Sequence, residues 1–291
     1  MNAPVHKRRL AEWLVERLLL LAALVAVAAV LSIGLFLLYF GLPVFRYASV
    51  GSFFGPGWYP LSGRFGILPL LLGSLVVTGV AMAIAVPLGI AGAIYLAEVA
   101  PVRLREVLKP LVELLAAIPS VVIGFVGLVL LAPLVRAAFH LDTGLTALTG
   151  GIALAFMSLP TIVTIAEDAI VAVPADYREA SLALGATRLQ TILRSVVPAA
   201  RGGIVAAVML GLGRAIGETM AVLMVTGNAA VIPHGVLQPV RTMTATLAGE
   251  MGETVRGSPH YYALFMVGMV LFAITFLVNL VADITTRRRE Q

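Results

Sequence analysis

No cysteine occurs among the 291 residues, so the chain can form neither a disulfide nor a thiol nucleophile. Charge is nearly as scarce, with Asp, Glu, Lys and Arg together making up 12% of the residues, well below the share found in water-soluble domains. No GxxxxGK[ST] stretch occurs, so no phosphate-cradling P-loop is encoded and ATP binding of that kind is not expected. The four histidines, His6, His140, His234 and His260, fall in a tail or in loops without metal-ligand spacing, and no metal or other cofactor is expected. A nucleophile paired with a base is also missing, which sets an intramembrane enzyme aside. The net charge of +5 is not gathered into a compact basic patch, so it does not point to nucleic acid.

What the chain has instead is apolar length. Hydrophobic residues make up 60%, and six runs reach the roughly 20 residues that a helix needs to cross a bilayer. These are Leu18–Leu42, Leu68–Ala97, Leu111–Ala138, Leu145–Ala166, Gly202–Thr226 and Tyr261–Asp283. The expected architecture is an all-α membrane protein of six transmembrane helices in one polytopic unit, residues 18–283, between basic tails at 1–17 and 284–291. The first run is too long for a signal-peptide core and is read as a retained span. Sorting basic residues by loop gives the orientation. Lys7, Arg8, Arg9, Arg17, Arg103, Arg105, Lys109, Arg178, Arg188, Arg194, Arg201 and Arg287 to Arg289 share one side, against Arg46, Arg64, Arg136, Arg241 and Arg256 on the other. The richer side is expected to be cytoplasmic, with both termini inside.

Within this frame several positions stand out. Phe53, Phe54, Trp58 and Tyr59 read either as an aromatic belt at the headgroup level or as a docking surface for an external partner. Pro87 is expected to bend the second span, and Pro119 to break the third after Glu113. Ser158, Thr161 and Thr164 flank Pro160 in the fourth, where hydroxyls either pack helices or line a pathway. The charges of the loop Ala100–Pro110 are accounted for by the inside bias, and Glu167 and Asp168 by solvation at a helix end. The long stretch Gly227–His260 reads as an external loop.

Two segments carry the functional signal. Residues 174–198 form a polar interruption with its own folding instructions: Asp176 with Glu179 as one capping box, Gly185 as a helix stop, Thr187 with Gln190 as a second box, and Pro198 as the next boundary. Two short helices on one membrane face are predicted. The second segment places Arg214 roughly 18 Å along the fifth span, near mid-membrane at ~1.5 Å per residue, with Glu218 four residues on and therefore on the same helical face. Intramembrane charges most often face a polar pathway. A guanidinium fork suits a tetrahedral oxyanion. A carboxylate beside it favours phosphate over sulfate, because phosphate keeps a proton to donate near neutral pH.

Residues 174–198 resemble the EAA loop of ABC-transporter permeases, and Gly211 to Val222 (Gly-Leu-Gly-Arg-Ala-Ile-Gly-Glu-Thr-Met-Ala-Val) resembles the permease subunits of phosphate ABC importers, PstC more closely than PstA. Phe65 to Pro69 with Gly73-Ser74, Glu113 to Ser120 and Glu179 to Gly185 support the likeness, which runs from about Phe65 to the last span. Ser181 departs from the small-residue pattern without changing its size class. The resemblance implies a type I ABC importer permease fold in a prokaryotic inner membrane. Its implied partners are a homologous permease of the PstA type, a pair of PstB-type ATPase subunits that bind the ATP, and a PstS-type extracytoplasmic phosphate-binding protein. It implies a phosphate pathway at Arg214, Glu218, Thr219, Ser74 and Ser120, and ATPase coupling through Glu179, Ala180, Gly185, Ala186, Thr187 and Pro198. A permease for molybdate, sulfate or a phosphonate is the nearest alternative, and an ATP-independent channel or secondary transporter a more distant one.

Overall fold

The computed structural model describes the backbone of residues 5–287 and the side chains of residues 13–281. Lys7, Arg8, Arg9 and Arg287 to Arg289, counted above toward the orientation, have side chains outside the described residues. Helix α1 (Val5–Gly41) runs without a break from the basic tail through the first apolar run and gives way at Pro43 to a 3-10 turn. A short α2 (Val50–Phe53), capped by Ser49, leads into a two-stranded antiparallel hairpin of β1 (Trp58–Tyr59) and β2 (Arg64–Phe65). Then follow α3 (Leu68–Ile94), whose last turn widens to π geometry over Tyr95–Val99, α4 (Val102–Ala117), α5 (Ser120–Val126), a π turn at Gly127–Leu131, α6 (Ala132–Phe139) and α7 (Ala147–Val171). The polar interruption contains α8 (Ala175–Ala183), α9 (Arg188–Thr191), a π turn at Ile192–Val196 and α10 (Val197–Ala199). The chain closes with α11 (Arg201–Gly217), α12 (Met220–Val225), α13 (Met243–Glu250) and α14 (Pro259–Arg287).

Among the described residues, Trp13–Arg46, Leu68–Val99, Ser120–Phe139, Ala147–Val171 and Pro259–Val281 are long and apolar enough to cross a membrane. A sixth crossing is counted when α11 and the helical run Arg188–Ala199, bent by 69° against it, are taken together. Two expected spans are interrupted. Leu111–Ala117 belongs to α4, an amphipathic helix that starts in the charged loop and stops before Pro119, because Ile118 is driven to extended geometry (φ −65°, ψ 127°) as residues preceding proline are. The fifth run breaks at Glu218-Thr219 between α11 and α12.

The centre of the bundle is α7, packed along most of its length by α3 and α11. In a bilayer, apolar side chains gain little by leaving lipid, so close helix approach rests on small residues. Gly89 on α3 and Gly211 on α11 press on the fully buried Ile162 from two sides: a Cβ at Gly89 would lie 2.7 Å from Ile162 Cγ2, and one at Gly211 2.6 Å from Cγ1. Helix α1 lies outermost, docked on α14 through Phe36 and Phe40 against Phe265. The hairpin, α13 and the start of α14 close one end; α8 and α9 form the other.

The aromatic segment does not form a uniform belt. Phe53 and Trp58 are buried in the core at the hairpin end, while Phe54 and Tyr59 stay exposed. Nor is Gly227–His260 wholly a surface loop, since Met243 to Thr246 of α13 are buried inside the bundle.

Candidate functional site

Gly211 brings α11 against α7, and one turn later Arg214 reaches Thr161 and the end of α4. Its Nη1 donates to Thr161 Oγ1 at 3.2 Å and its Nη2 to the Ala116 carbonyl at 3.4 Å. Ala116 offers one of the last carbonyls of α4, where the helix dipole favours a cation. Both acceptors are uncharged, and no ion pair to Arg214 occurs among the described residues. The rest of the five-donor guanidinium remains available to an incoming acceptor.

Arg214 and Glu218 do not meet as i, i+4 partners. The helix ends at Gly217, Glu218 is extended (φ −69°, ψ 133°), and one-face spacing no longer applies. Glu218 Oε1 instead accepts the amides of Met220 (3.0 Å) and Ala221 (3.2 Å), satisfying the start of α12. Its Oε2 takes no hydrogen bond among the described residues. The Glu218 carbonyl accepts from Thr244 Oγ1 at 2.8 Å, and Thr244 Oγ1 lies 3.1 Å from Thr242 Oγ1, which caps α13. Ser74 Oγ accepts the Met243 amide at 2.9 Å. The start of α13 therefore joins Ser74, Glu218 and, beside it, Thr219, whose hydroxyl reaches the Gly217 carbonyl at 3.4 Å. Ser120 is the first residue of α5, half-buried just past the break whose α4 side holds Arg214. Two groupings result: Arg214 with Thr161 and the α4–α5 break, and Glu218 with Thr219, Ser74 and the threonines of α13. Thr242 and Thr244 carried one signal in sequence, hydroxyls alternating with Met243, Ala245 and Leu247 inside an apolar stretch.

At the other end, α8 and α9 form as two short helices joined at Gly185, whose φ of 84° is the left-handed conformation a helix stop requires. Thr187 and Gln190 make both halves of a capping box, Gln190 N to Thr187 Oγ1 at 3.3 Å and Thr187 N to Gln190 Oε1 at 2.9 Å. The Asp176–Glu179 box does not form: Pro174 occupies the cap position and Asp176 falls inside the first turn, where its charge faces the helix N-terminus. Ser181 Oγ and Thr191 Oγ1, 3.0 Å apart, tie the pair together. Glu179, Ala180, Gly185, Thr187 and Pro198 are exposed and Ala186 is half-buried, with Leu184 at 90% exposure forming an apolar tip.

This surface is bolted to the bundle by arginines. Arg178 donates to Glu98 Oε1 (2.5 Å from Nη2) and to the Val173 and Ile170 carbonyls at the end of α7. Arg188 donates to the Glu98 carbonyl. Arg105 donates to the Leu96 and Ala97 carbonyls, at 2.7 and 2.6 Å, and lies 3.7 Å from Glu167. Lys109 Nζ is 3.0 Å from both Glu167 Oε2 and Asp168 Oδ1. Glu167 is thus buried, at 2% exposure, rather than solvated, and Arg105 and Lys109 do more than mark a membrane side. Burial by itself lowers the Lys109 pKa, but hydrogen bonds and charge from Glu167 and Asp168 outweigh it and raise the value above 10.5. Charge spacing over separate loops gave no sign of these pairings.

At the hairpin end Glu250 collects three donors. Trp58 Nε1 reaches Oε2 at 3.0 Å, His260 Nε2 reaches Oε2 at 2.8 Å, and Arg241 Nη1 reaches Oε1 at 2.5 Å.

Among solved structures, a bacterial alginate ABC transporter in complex with an alginate-bound periplasmic protein superposes with a TM-score of 0.65 over 98% of this chain and 97% of that one, at 16% identity. Among known proteins, the probable ABC transporter permease protein YqgH of Bacillus subtilis is 41% identical over 92% of this chain and 88% of its own length. The phosphate transport system permease protein PstC of Mesorhizobium japonicum is 40% identical over 77% of this chain and 74% of its own. Residues 85–291 match the binding-protein-dependent transport system inner membrane component family, and the chain belongs to that family.

Proposed function

We propose that this chain is the transmembrane permease subunit of an ATP-driven importer of inorganic phosphate in a bacterial cell membrane. The observation that carries the reading is Arg214: a guanidinium in the bundle between two broken helices, held by two uncharged acceptors with donors to spare. An oxyanion entering beside it accepts charge-assisted hydrogen bonds without displacing a resident carboxylate. The open Oε2 of Glu218, just past the end of α11, is suited to accept a hydrogen bond from the proton that phosphate retains and sulfate lacks. Ser74, Ser120 and Thr219 supply further hydroxyls near the two helix breaks. Likeness to the phosphate permease proteins supports the substrate assignment.

The surface of α8 to α10, with exposed Glu179, Ala180, Gly185, Thr187 and Pro198 and half-buried Ala186, is read as the face that docks an ATPase subunit, which binds and hydrolyses the ATP. The basic end then lies in the cytoplasm and the hairpin end faces a phosphate-binding protein outside. A homologous permease completes the pathway, and by resemblance these partners are of the PstB, PstS and PstA types.

Uptake of radiolabelled phosphate by cells carrying the chain with these partners tests the reading. Uptake that is lost with Arg214→Ala and with an ATPase-dead partner, while the complex still assembles, supports it. Uptake of another oxyanion instead, with none of phosphate, overturns the substrate and leaves the permease.

A further inference from the structure

The carbonyl that holds Arg214 belongs to a helix anchored at its other end to the coupling surface. On α4, Lys109 and Ala116 are seven residues apart, close to two full turns, and so share a face. On α7, Asp168 and Thr161 are also seven apart. Lys109 pairs with Glu167 and Asp168, while Ala116 and Thr161 share the guanidinium of Arg214. The two helices therefore run antiparallel with matched contacts about 10 Å apart at ~1.5 Å per residue. Below Lys109, Arg105 binds both Glu167 and the last carbonyls before Glu98. Glu98 is in turn gripped by Arg178 of α8 and, at its carbonyl, by Arg188 of α9. The segment so gripped is the π turn Tyr95–Val99, a geometry found frequently at functional sites. Glu167 itself is a carboxylate buried where an apolar side chain would pack without desolvation cost.

We infer that Glu167 is a positioning residue for Arg214: with Lys109 and Arg105 it fixes α4 on α7, and α4, through its Ala116 carbonyl, transmits movement of the α8–α9 surface to the guanidinium. The inference rests on the reading of Arg214 as the contact for the transported anion.

The test uses the complete transporter in proteoliposomes with cysteine-free partners. Because this chain has no cysteine, Ala117→Cys places a single thiol at the end of α4, and its modification rate is measured with and without nucleotide. In the parent, nucleotide changes that rate. With Glu167→Gln the change is lost, and phosphate moved per ATP hydrolysed falls at least about fivefold, the lower end of couplings between distant sites. Lys109→Met does the same, and Lys109→Arg, which keeps the charge, restores both readouts. A purely structural role would lower the amount of complex without altering either quantity per complex. Should Glu167→Gln prevent assembly, the half-exposed Lys109→Met carries the same decision. Retention of both the nucleotide response and the transport ratio in the charge-removing variants overturns the inference. If instead Arg214→Ala transports normally while the A117C thiol behaves as expected, the anion contact is wrong and the α4 connection stands.

Discussion

Arg214 is a cation held inside the bundle by a hydroxyl and a carbonyl, and each of these contacts sets a measurable expectation. Lysine keeps the charge but presents a compact point, unable to span Thr161, Ala116 and an anion at once. Arg214→Lys should therefore cut the initial rate of phosphate uptake by about 10- to 100-fold, the loss of a charge-assisted hydrogen bond worth ~1.5–3 kcal/mol. Thr161→Val removes one neutral acceptor at constant shape, and a drop of roughly two- to tenfold follows from ~0.5–1.5 kcal/mol, with Thr161→Ser close to the parent. Glu250 is the counterpart at the hairpin end, where one carboxylate serves Trp58, Arg241 and His260. Glu250→Gln leaves the Arg241 charge uncompensated in a partly buried site, and a stability loss of about 1–3 kcal/mol is expected, read as a lower midpoint in thermal unfolding of purified complex. Arg241 and His260 lie nine and ten residues from Glu250, but Trp58 is 192 residues away, and Thr161 and Ala116 are 53 and 98 residues from Arg214. The sequence marks Arg214 as costly, whereas its acceptors are ordinary residues whose role exists only once α4, α7 and α11 are packed.

At the scale of elements, the legible features are those written within a few residues. Gly185 and the Thr187–Gln190 box form as read because each depends on local dihedrals and on donors three residues away. The Asp176 box fails on local competition: Pro174 starts α8 two residues earlier. The Arg214–Glu218 pairing fails because Gly217 ends the helix before the fourth residue is reached. Removing the working cap with Thr187→Ala should cost about 1 kcal/mol of local stability; on an exposed helix of one turn, this appears as weaker retention of the ATPase subunit on affinity purification rather than as loss of the bundle. Gly211→Ala meets the opposite situation. Its methyl would lie 2.6 Å from Ile162 Cγ1, and Gly89 blocks Ile162 from moving away. Overpacking of about 1–3 kcal/mol is expected, read in the same unfolding measurement. The α4–α7 link adds a pH statement. The folded pKa of Lys109 is raised, so its contribution is fully present below the unfolded value and is lost only as pH rises through the folded value, above 10.5. Between about pH 6 and 9 this pairing leaves stability flat.

For the molecule as a whole, composition alone indicates a helical membrane protein, because apolar runs of bilayer length need no partner to be recognised. What the runs hide is where a helix stops being straight: Leu111–Ala138 and Gly202–Thr226 each read as one span, and each is divided beside Arg214 or Glu218. Sidedness is the remaining global property, and the absence of cysteine allows it to be measured at chosen points. Leu61, between the strands of the hairpin, and Leu184, at the tip of α8, are both fully or nearly fully exposed, at 106% and 90%, and both lie away from the two polar groupings. Each is an apolar residue whose replacement by cysteine removes no internal contact of consequence. In the proposed orientation the α8–α9 end, with its basic excess around Arg105, Lys109, Arg178, Arg188 and Arg194, lies in the cytoplasm, as the positive-inside bias predicts. A membrane-impermeant maleimide applied to intact cells should accordingly label Leu61→Cys and leave Leu184→Cys untouched. After permeabilisation Leu184→Cys should react as well, and bound ATPase subunit should protect it. Labelling of Leu184→Cys from outside would invert the protein in the membrane, put the coupling surface beyond the reach of ATP, and leave Arg214 in a transporter driven by something else.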